Sequence, residues 1–484
     1  MTTTALLEID EPREEVATLR PWWRRGEVLW ALGGFVVFAV LVLSKAAALL
    51  EPDDYAYRAS IVALSHGHIL LTNAQYLALN KELASTGGQG IVQWHHLASG
   101  KWISEKNPGY PFFAVIFYML GLLRVTPLFY GALACVGLFV GARAWLGKWA
   151  GTYAVWLYCF SGAAITFAWR ATMPSFSDAS LIAAGFGTLL WVMLCDTLSQ
   201  RRRCVFGLLG FLAIEGAVFI RYTNVIELAV ALLAVLTLAR RCHITWRSVT
   251  VWVGSVVVFG ALVLGFDAWA YGKATSTGYS AGEITFSIKA LWPNLKGMPK
   301  YLTTSMPFWI LAFISLVWIG VRATQLRRSD LDNEKRTILR RDALVGAVLA
   351  LGWLGLWFLY LNYTWTANMV SGVGGGPGGG GASTVHVIRF YLPALGLVAL
   401  LATWLLVRLL RSISWTLIAA LAVAAFFSFH SMASSGTLGP HGAGPFGGGG
   451  FGSSPRNAPV FNNDGAPPSG AYGNPPTGAP GTNG

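Results

Sequence analysis

Apolar residues in this chain come in long runs. Stretches near 28–50, 108–123, 126–142, 150–169, 179–198, 205–220, 225–239, 249–271, 307–321, 343–362, 388–408 and 413–430 are dominated by Leu, Val, Ala, Phe and Trp. A bilayer-crossing helix needs about 20 such residues, so the pattern predicts an all-α fold, a polytopic bundle of about 11–13 transmembrane helices. The widest gap between runs is 51–107. There Tyr55, Tyr57, Ile61, Leu64, Ile69, Leu70, Tyr76, Leu77 and Leu79 recur at spacings near three and four, which predicts amphipathic helices lying on the membrane surface. Loops beyond about 15 residues are usually functional or disordered, and this apolar content argues for function.

Composition excludes a soluble protein. Of 484 residues 54% are hydrophobic and 12% charged, against about 25% charged in a soluble domain. The 21 Trp predict aromatic belts at the headgroup level. A net charge of +13 could suggest nucleic acid, but the Lys and Arg sit between the apolar runs, where they set orientation. Arg24 and Arg25, Arg201 to Arg203, Arg240, Arg241 and Arg247, the stretch 322–341, and Arg408 with Arg411 are expected on the cytoplasmic side. The connections 51–107, 170–178, 221–224, 272–306 and 363–387 then face outward. One conflict remains: counting forward puts Arg124 inside, counting back puts Arg143 and Lys148 inside, so 108–142 should hold a short or re-entrant helix.

The expected organisation is a cytoplasmic N-terminus (1–27), a transmembrane domain (28–430) and a disordered Gly/Pro-rich tail (436–484). Within the domain lie the first outer loop (51–107), a cytoplasmic loop (322–342) and a Gly-rich outer loop (363–387). Residues Met1 to Arg20 are polar and acidic, so the first run is expected to stay as a signal anchor. The run Gly374–Gly381 lacks the Lys-Ser/Thr of a phosphate loop and reads as a linker. The five cysteines show neither metal-ligand spacing nor an obvious partner.

Candidate chemistry gathers at the two ends of the first outer loop. Glu51-Pro52-Asp53-Asp54-Tyr55 opens it. Adjacent carboxylates beside an apolar segment repel each other, which should raise the pKa of at least one to suit proton abstraction; an acidic helix-end cap is the other reading. Glu105-Lys106-Asn107-Pro108 closes the loop before a helix that Pro108 should open. It reads as a phosphate clamp beside a carboxylate, or as a snorkelling lysine with its neighbour. Arg221 and Arg389 fit snorkelling equally well, and Asp178 reads as a helix N-cap. His66, His68, His95 and His96 invite a metal without supplying a clear third ligand, and His95 and His96 are expected to point apart on a helix.

Taken together, Asp53-Asp54 and Glu105-Lys106-Asn107-Pro108 resemble the acidic and Glu-Lys-Pro-like motifs of the GT-C superfamily of membrane glycosyltransferases, in the branch of protein O-mannosyltransferases and bacterial aminoarabinose transferases. Asn107 departs from the commonest form. Ser177-Asp178, Arg221-Tyr222-Thr223-Asn224 and Arg389-Phe390-Tyr391-Leu392-Pro393 are similar to sequences in such proteins, and the resemblance spans 25–410. It implies transfer of a sugar from a polyprenyl-phosphate donor to a glycan, lipid or protein acceptor at the outer face of a bacterial plasma membrane, with inversion. In that scheme Asp53 or Asp54 is the base, Asp53 being favoured. Lys106, Arg221 and Arg389 bind the donor phosphate, and Glu105 orients Lys106 or binds a divalent metal, the one cofactor left open. A transporter or lipid flippase is the rival reading, since many spans with buried charges also mark transport paths.

Overall fold

The computed structural model describes residues 25–44, 52–85, 90–279, 284–327, 332–371 and 387–434, with side chains up to 430. The N-terminal 24 residues, the Gly374–Gly381 run and the 436–484 tail lie outside them. Among the described residues seven helices are long and apolar enough to cross a membrane: α1 (Gly26–Leu43), α5 (Thr126–Leu146), α8 (Ser175–Leu194), α9 (Gln200–Ile220), α11 (Trp246–Tyr271), α13 (Trp309–Thr324) and α14 (Asn333–Leu361). The shorter apolar helices α10 (Val225–Leu238), α16 (Leu395–Arg408) and α17 (Ser414–Ser434) complete the bundle. The run at 150–169 forms two helices, α6 (Ala150–Cys159) and α7 (Gly162–Trp169). Between them Ser161 caps the second by accepting the Ala164 N–H at 3.0 Å. The fold is all-α and that of an integral membrane protein.

Two contacts orient the first helices. Arg124 donates to the carbonyl of Leu43 at 3.0 Å, and Arg143 meets Glu27 at 2.8 Å, so α1 and α5 run antiparallel. The conflict at 108–142 resolves here. Helix α4 (Gly109–Met119) has 11 residues, about 16 Å at 1.5 Å per residue, against a hydrocarbon core of about 30 Å. It starts where Gly109 lies against the backbone of Phe219, at the end of α9, and the chain returns to the end of α1 through Arg124. Both of its ends lie on one side of the bundle, so it adds no crossing.

The loop between α1 and α4 folds over that side. It holds α2 (Pro52–Ser65), α3 (Asn73–Ser85) and an unexpected hairpin of β1 (Trp94–His96) and β2 (Trp102–Ser104), antiparallel with His95 opposite Ile103. His95 and His96 thus lie on a strand, not on the helix expected, though they still face opposite ways. Tyr76 stacks on Trp102 at 4.1 Å and ties helix to hairpin. Two further short helices, α12 (Leu291–Ser305) and α15 (Thr364–Val370), join the same layer: Asn294 donates to the carbonyls of Leu361 and Tyr363.

The opposite end of the bundle carries its own buried acid. Asp342, 2% exposed, accepts from the indole N–H groups of Trp145 and Trp404, each at 2.9 Å, with Arg408 at 3.6 Å. This is also where Trp30, Trp149 and Trp156 gather around Trp415, the aromatic belt expected of the tryptophans. Cys135 and Cys159, expected without partners, meet in the core with their sulfurs 3.5 Å apart.

Helices α5 and α8 run parallel in backbone contact. A Cβ on Gly187 would lie 2.3 Å from the carbonyl carbon of Gly137, and one on Gly141 would lie 2.4 Å from the Gly187 oxygen. Small residues at such spacing let membrane helices approach closely. Gly187→Leu is expected to destabilise the protein by about 1–3 kcal/mol through overpacking. Thermal unfolding in detergent measures it, and an unchanged midpoint would refute the close approach.

Candidate active site

Helix α2 begins at Pro52, whose missing N–H costs nothing in the first turn, and Asp53 and Asp54 sit in that turn, where carboxylates face the positive end of the helix dipole. Successive residues on a helix point about 100° apart, so the two acids part. Asp54, 0% exposed, goes inward to an ion pair with the equally buried Arg170, and accepts from Thr172 at 3.1 Å. Asp53 stays at the edge with 19% of its side chain exposed. Lys106 Nζ lies 3.1 Å from its Oδ1 and Arg389 Nη1 lies 2.8 Å from its Oδ2.

The expected raised carboxylate is therefore not what forms at Asp53. Burial alone pushes its pKa up, but the Lys106 ammonium and the Arg389 guanidinium together hold it well below the usual carboxylate range. Lys106 mirrors it: burial pushes the ammonium down, yet Asp53, Tyr279 and Glu105 raise it well above the ordinary lysine value. Asp53 and Asp54 are not left facing each other: each has its own cation.

Around Lys106 a second layer closes. Glu105 Oε1 lies 3.0 Å from Nζ, and Glu105 Oε2 lies 3.2 Å from His95 Nε2. From the connection after α11, Tyr279 accepts from Lys106 at 3.3 Å and sets its ring 4.9 Å from the ammonium. Gly278 makes that reach possible: a Cβ there would lie 2.4 Å from the Glu105 Cα. Lys106 is 4% exposed and does not snorkel. A narrow, mostly apolar cleft between α2, α4 and α11 opens beside it, walled by Leu64, Trp94, Phe112 and Phe266. Pro108 sits at the N-cap of α4, one residue earlier than expected.

Arg389 and Arg221 form a ladder. The Arg221 side chain, at the end of α9, donates to the carbonyl of Arg389 at 2.9 Å and to Ser175 Oγ at 3.0 Å, and pairs with Asp178 at 3.1 Å. Asp178 lies inside the first turn of α8 and accepts from the Ala179 N–H at 2.7 Å; the N-cap position belongs to Pro174, which corrects the expectation for this residue. Arg389 stands over Phe390 and Trp365, 4.8 and 5.3 Å from their ring centroids. Arg221 is 16% and Arg389 12% exposed, so neither snorkels.

Asp53, Glu105, Lys106 and Arg389 thus share one cluster, Arg221 supports it from behind, and Asp54 turns away into the interior. Sequence reading missed Arg170, Thr172 and Tyr279, and weighed His95 only as a metal ligand. A lone arginine between an apolar run and Pro174 was the available signal for Arg170.

A metal fits this cluster poorly. His95 and Glu105 supply two ligands where about four are usual, and the ammonium already on Glu105 repels a divalent cation. Among the described residues no group of three or more His, Cys, Asp or Glu could hold a metal. His68 faces Gln75 at 3.0 Å and His96 faces Trp102.

No family model matches the sequence, and no curated protein matches it. Among solved structures, the fold is similar to ArnT from Cupriavidus metallidurans bound to undecaprenyl phosphate, at 18% identity over 87% of this chain and 67% of that one, with a TM-score of 0.47. It is also similar to the Archaeoglobus fulgidus oligosaccharyltransferase in its apo form, at 12% identity over 87% of this chain and 57% of that one, TM-score 0.47. The same organism's AglB with an inhibitory peptide and a dolichol-phosphate gives 12% identity, 85% and 56% coverage, and a TM-score of 0.45. The chain therefore spans about two thirds of the first structure's length and less of the other two.

Breaking a buried pair by removing one partner typically costs about 3–5 kcal/mol. Asp54→Asn, which takes the carboxylate from Arg170, is expected to fall in that range. Asp53→Asn at the cluster edge should cost far less. Comparing the melting of the two variants decides it; equal destabilisation would contradict the division of labour.

Proposed function

We propose that the protein is a GT-C-type glycosyltransferase that transfers a sugar from a polyprenyl-phosphate donor to an acceptor at the outer face of the membrane. The observation that carries this reading is the Asp53 carboxylate held between Lys106 and Arg389. The resemblance of the Asp53-Asp54 and Glu105-Lys106 motifs to that superfamily supports it independently. So do the basic residues at the other end of the bundle, Arg143, Arg203 and Arg408 among them, which favour a cytoplasmic setting there and an outer one for the cluster.

Two cations gathered on one aspartate are poised for a phosphate. The donor's phosphodiester takes over Lys106 and Arg389, and Asp53, relieved of them, regains basicity. An acceptor hydroxyl or amine then forms a bond to the anomeric carbon as the carbon–oxygen bond to phosphate breaks. The bonding pair leaves with the phosphate oxygen, the acceptor proton passes to Asp53, and the configuration inverts. Leaving phosphate gains charge, so fixed cations stabilise the transition state more than the ground state. Glu105 and Tyr279 position Lys106, and Arg221 positions Arg389 through its carbonyl.

Purified wild type offered a panel of polyprenyl-phosphate sugars in nanodiscs, with transfer or release scored by mass spectrometry, tests the reading. Asp53→Asn should keep donor binding and lose about 10²- to 10⁴-fold in turnover, the usual weight of a general base. Lys106→Ala should weaken both. Wild-type turnover in both variants would remove these roles, and lipid movement without sugar release would favour a flippase.

The pH profile adds a check. A carboxylate with a depressed pKa stays ionised until the pH falls through that lowered value, so the acid limb of kcat/KM for the donor should lie below about pH 4, the ordinary aspartate value. In kcat, which reports the donor-bound enzyme, the limb should move to higher pH. Coincident limbs would refute relief of Asp53 by the donor.

A further inference from the structure

At the end of the bundle opposite the Asp53 cluster, a second cleft of about 380 Å³ opens between α1, α5 and α8, within the range of about 300–1,000 Å³ typical of small-molecule sites. Its walls are apolar and aromatic, with Val28 from α1, Phe139 and Val140 from α5 and Trp191 from α8, and two guanidiniums, Arg25 and Arg143, stand at its rim. Arg25 directly precedes α1 and Arg143 lies in the last turn of α5, so both cations sit where helices leave the hydrocarbon and headgroups begin.

Charge at this rim is not balanced from within. Glu27, 1% exposed, is met by Arg143 at 2.8 Å and by Lys148 at 3.8 Å. Arg25 has no side-chain partner among the described residues, and Arg143 keeps 34% of its side chain exposed. Glu27 thus meets two cations, and Arg25 stands as a further one at the rim of the apolar cleft. The cleft floor is held independently, since Arg203 donates to the carbonyls of Val192 and Cys195.

The geometry points to a specific binding site for an anionic phospholipid, with its phosphate between Arg25 and Arg143 and its acyl chains along Val28, Phe139 and Val140. Anionic headgroups are attracted by about 1 kcal/mol per basic residue near the surface. The apolar walls convert that general attraction into a place. Bound there, the lipid would link α1, most of which is left uncovered by the rest of the bundle, to the α5–α8 pair.

Native mass spectrometry of the full chain, released from mixed phosphatidylglycerol and phosphatidylcholine with matched chains, tests the site. Wild type should retain phosphatidylglycerol preferentially. Arg25→Gln should cut that preference about fivefold, the weight of one cation, and Val140→Trp, which fills the cleft and leaves every charge in place, should abolish it. Arg143 is left intact because its loss would strand the buried Glu27. Equal retention of the two lipids by wild type, or an unchanged preference in both variants, overturns the proposal. So does a preference that emerges only after residues 1–20 are deleted, which would assign the cleft to the chain's own acidic segment around Glu8, Asp10 and Glu11.

Discussion

A buried charge must find an opposite one, and the arrangement of the layer that α2 and α3 build at one end of the bundle follows from that constraint. Taking a carboxylate out of water costs several kcal/mol unless a cation or hydrogen bonds compensate. Helix α2 places two carboxylates side by side in its first turn and divides them. Asp54 with Arg170 pins the start of α2 against the turn before α8, and that anchor aims Asp53 at Lys106 and Arg389. The Asp53–Arg389 pair joins residues 336 positions apart, so the first loop and the last spans meet at a single carboxylate.

Behind the pair lies support that turns charge into position. Arg221 holds the carbonyl of Arg389, Asp178 holds Arg221, and Asn224 steadies Asp178 at 3.4 Å while donating to Ala217 O at 2.9 Å. On the other side Glu105 and Tyr279 hold Lys106. Both cations are thereby fixed from behind, with Asp53 the anion in front. Receiving a phosphate, as proposed, would need cations that do not move and a counterion that gives way, and the cluster offers a separate group for each role. The low local dielectric strengthens every member of such a network.

Much of this cluster is legible in the amino-acid sequence. Asp53, Glu105, Lys106, Arg221 and Arg389 stand out because each is a charge at the border of an apolar run, where charges are costly. The conflict over Arg124 and Arg143 flags the short helix α4 by parity alone. Where sequence and fold part, the causes are physical. Asp53 and Asp54 are adjacent in sequence, but a helix turns adjacent residues away from each other, so repulsion does not set the pKa of Asp53. Tyr279 carries no periodic signal, because it reaches Lys106 only through the close approach of Gly278 to Glu105. The hairpin at 94–104 escapes notice because its strands are three residues each, too short for alternation to register. Arg170 reads as a loop charge because its partner lies 116 residues away.

The same geometry separates the two acids as candidates for a base. A base must accept a proton and return it, and its environment must tolerate both states. Asp54 is fully buried and committed to the Arg170 pair and the Thr172 hydroxyl, which hold the start of α2 in place. Asp53 is partly exposed, and a phosphate arriving at Lys106 and Arg389 would supply the negative charge that Asp53 gives up on protonation. The exchange leaves the local charge nearly constant while it moves a proton. Of the adjacent pair, the acid that the fold needs least is therefore the better candidate for the proposed base.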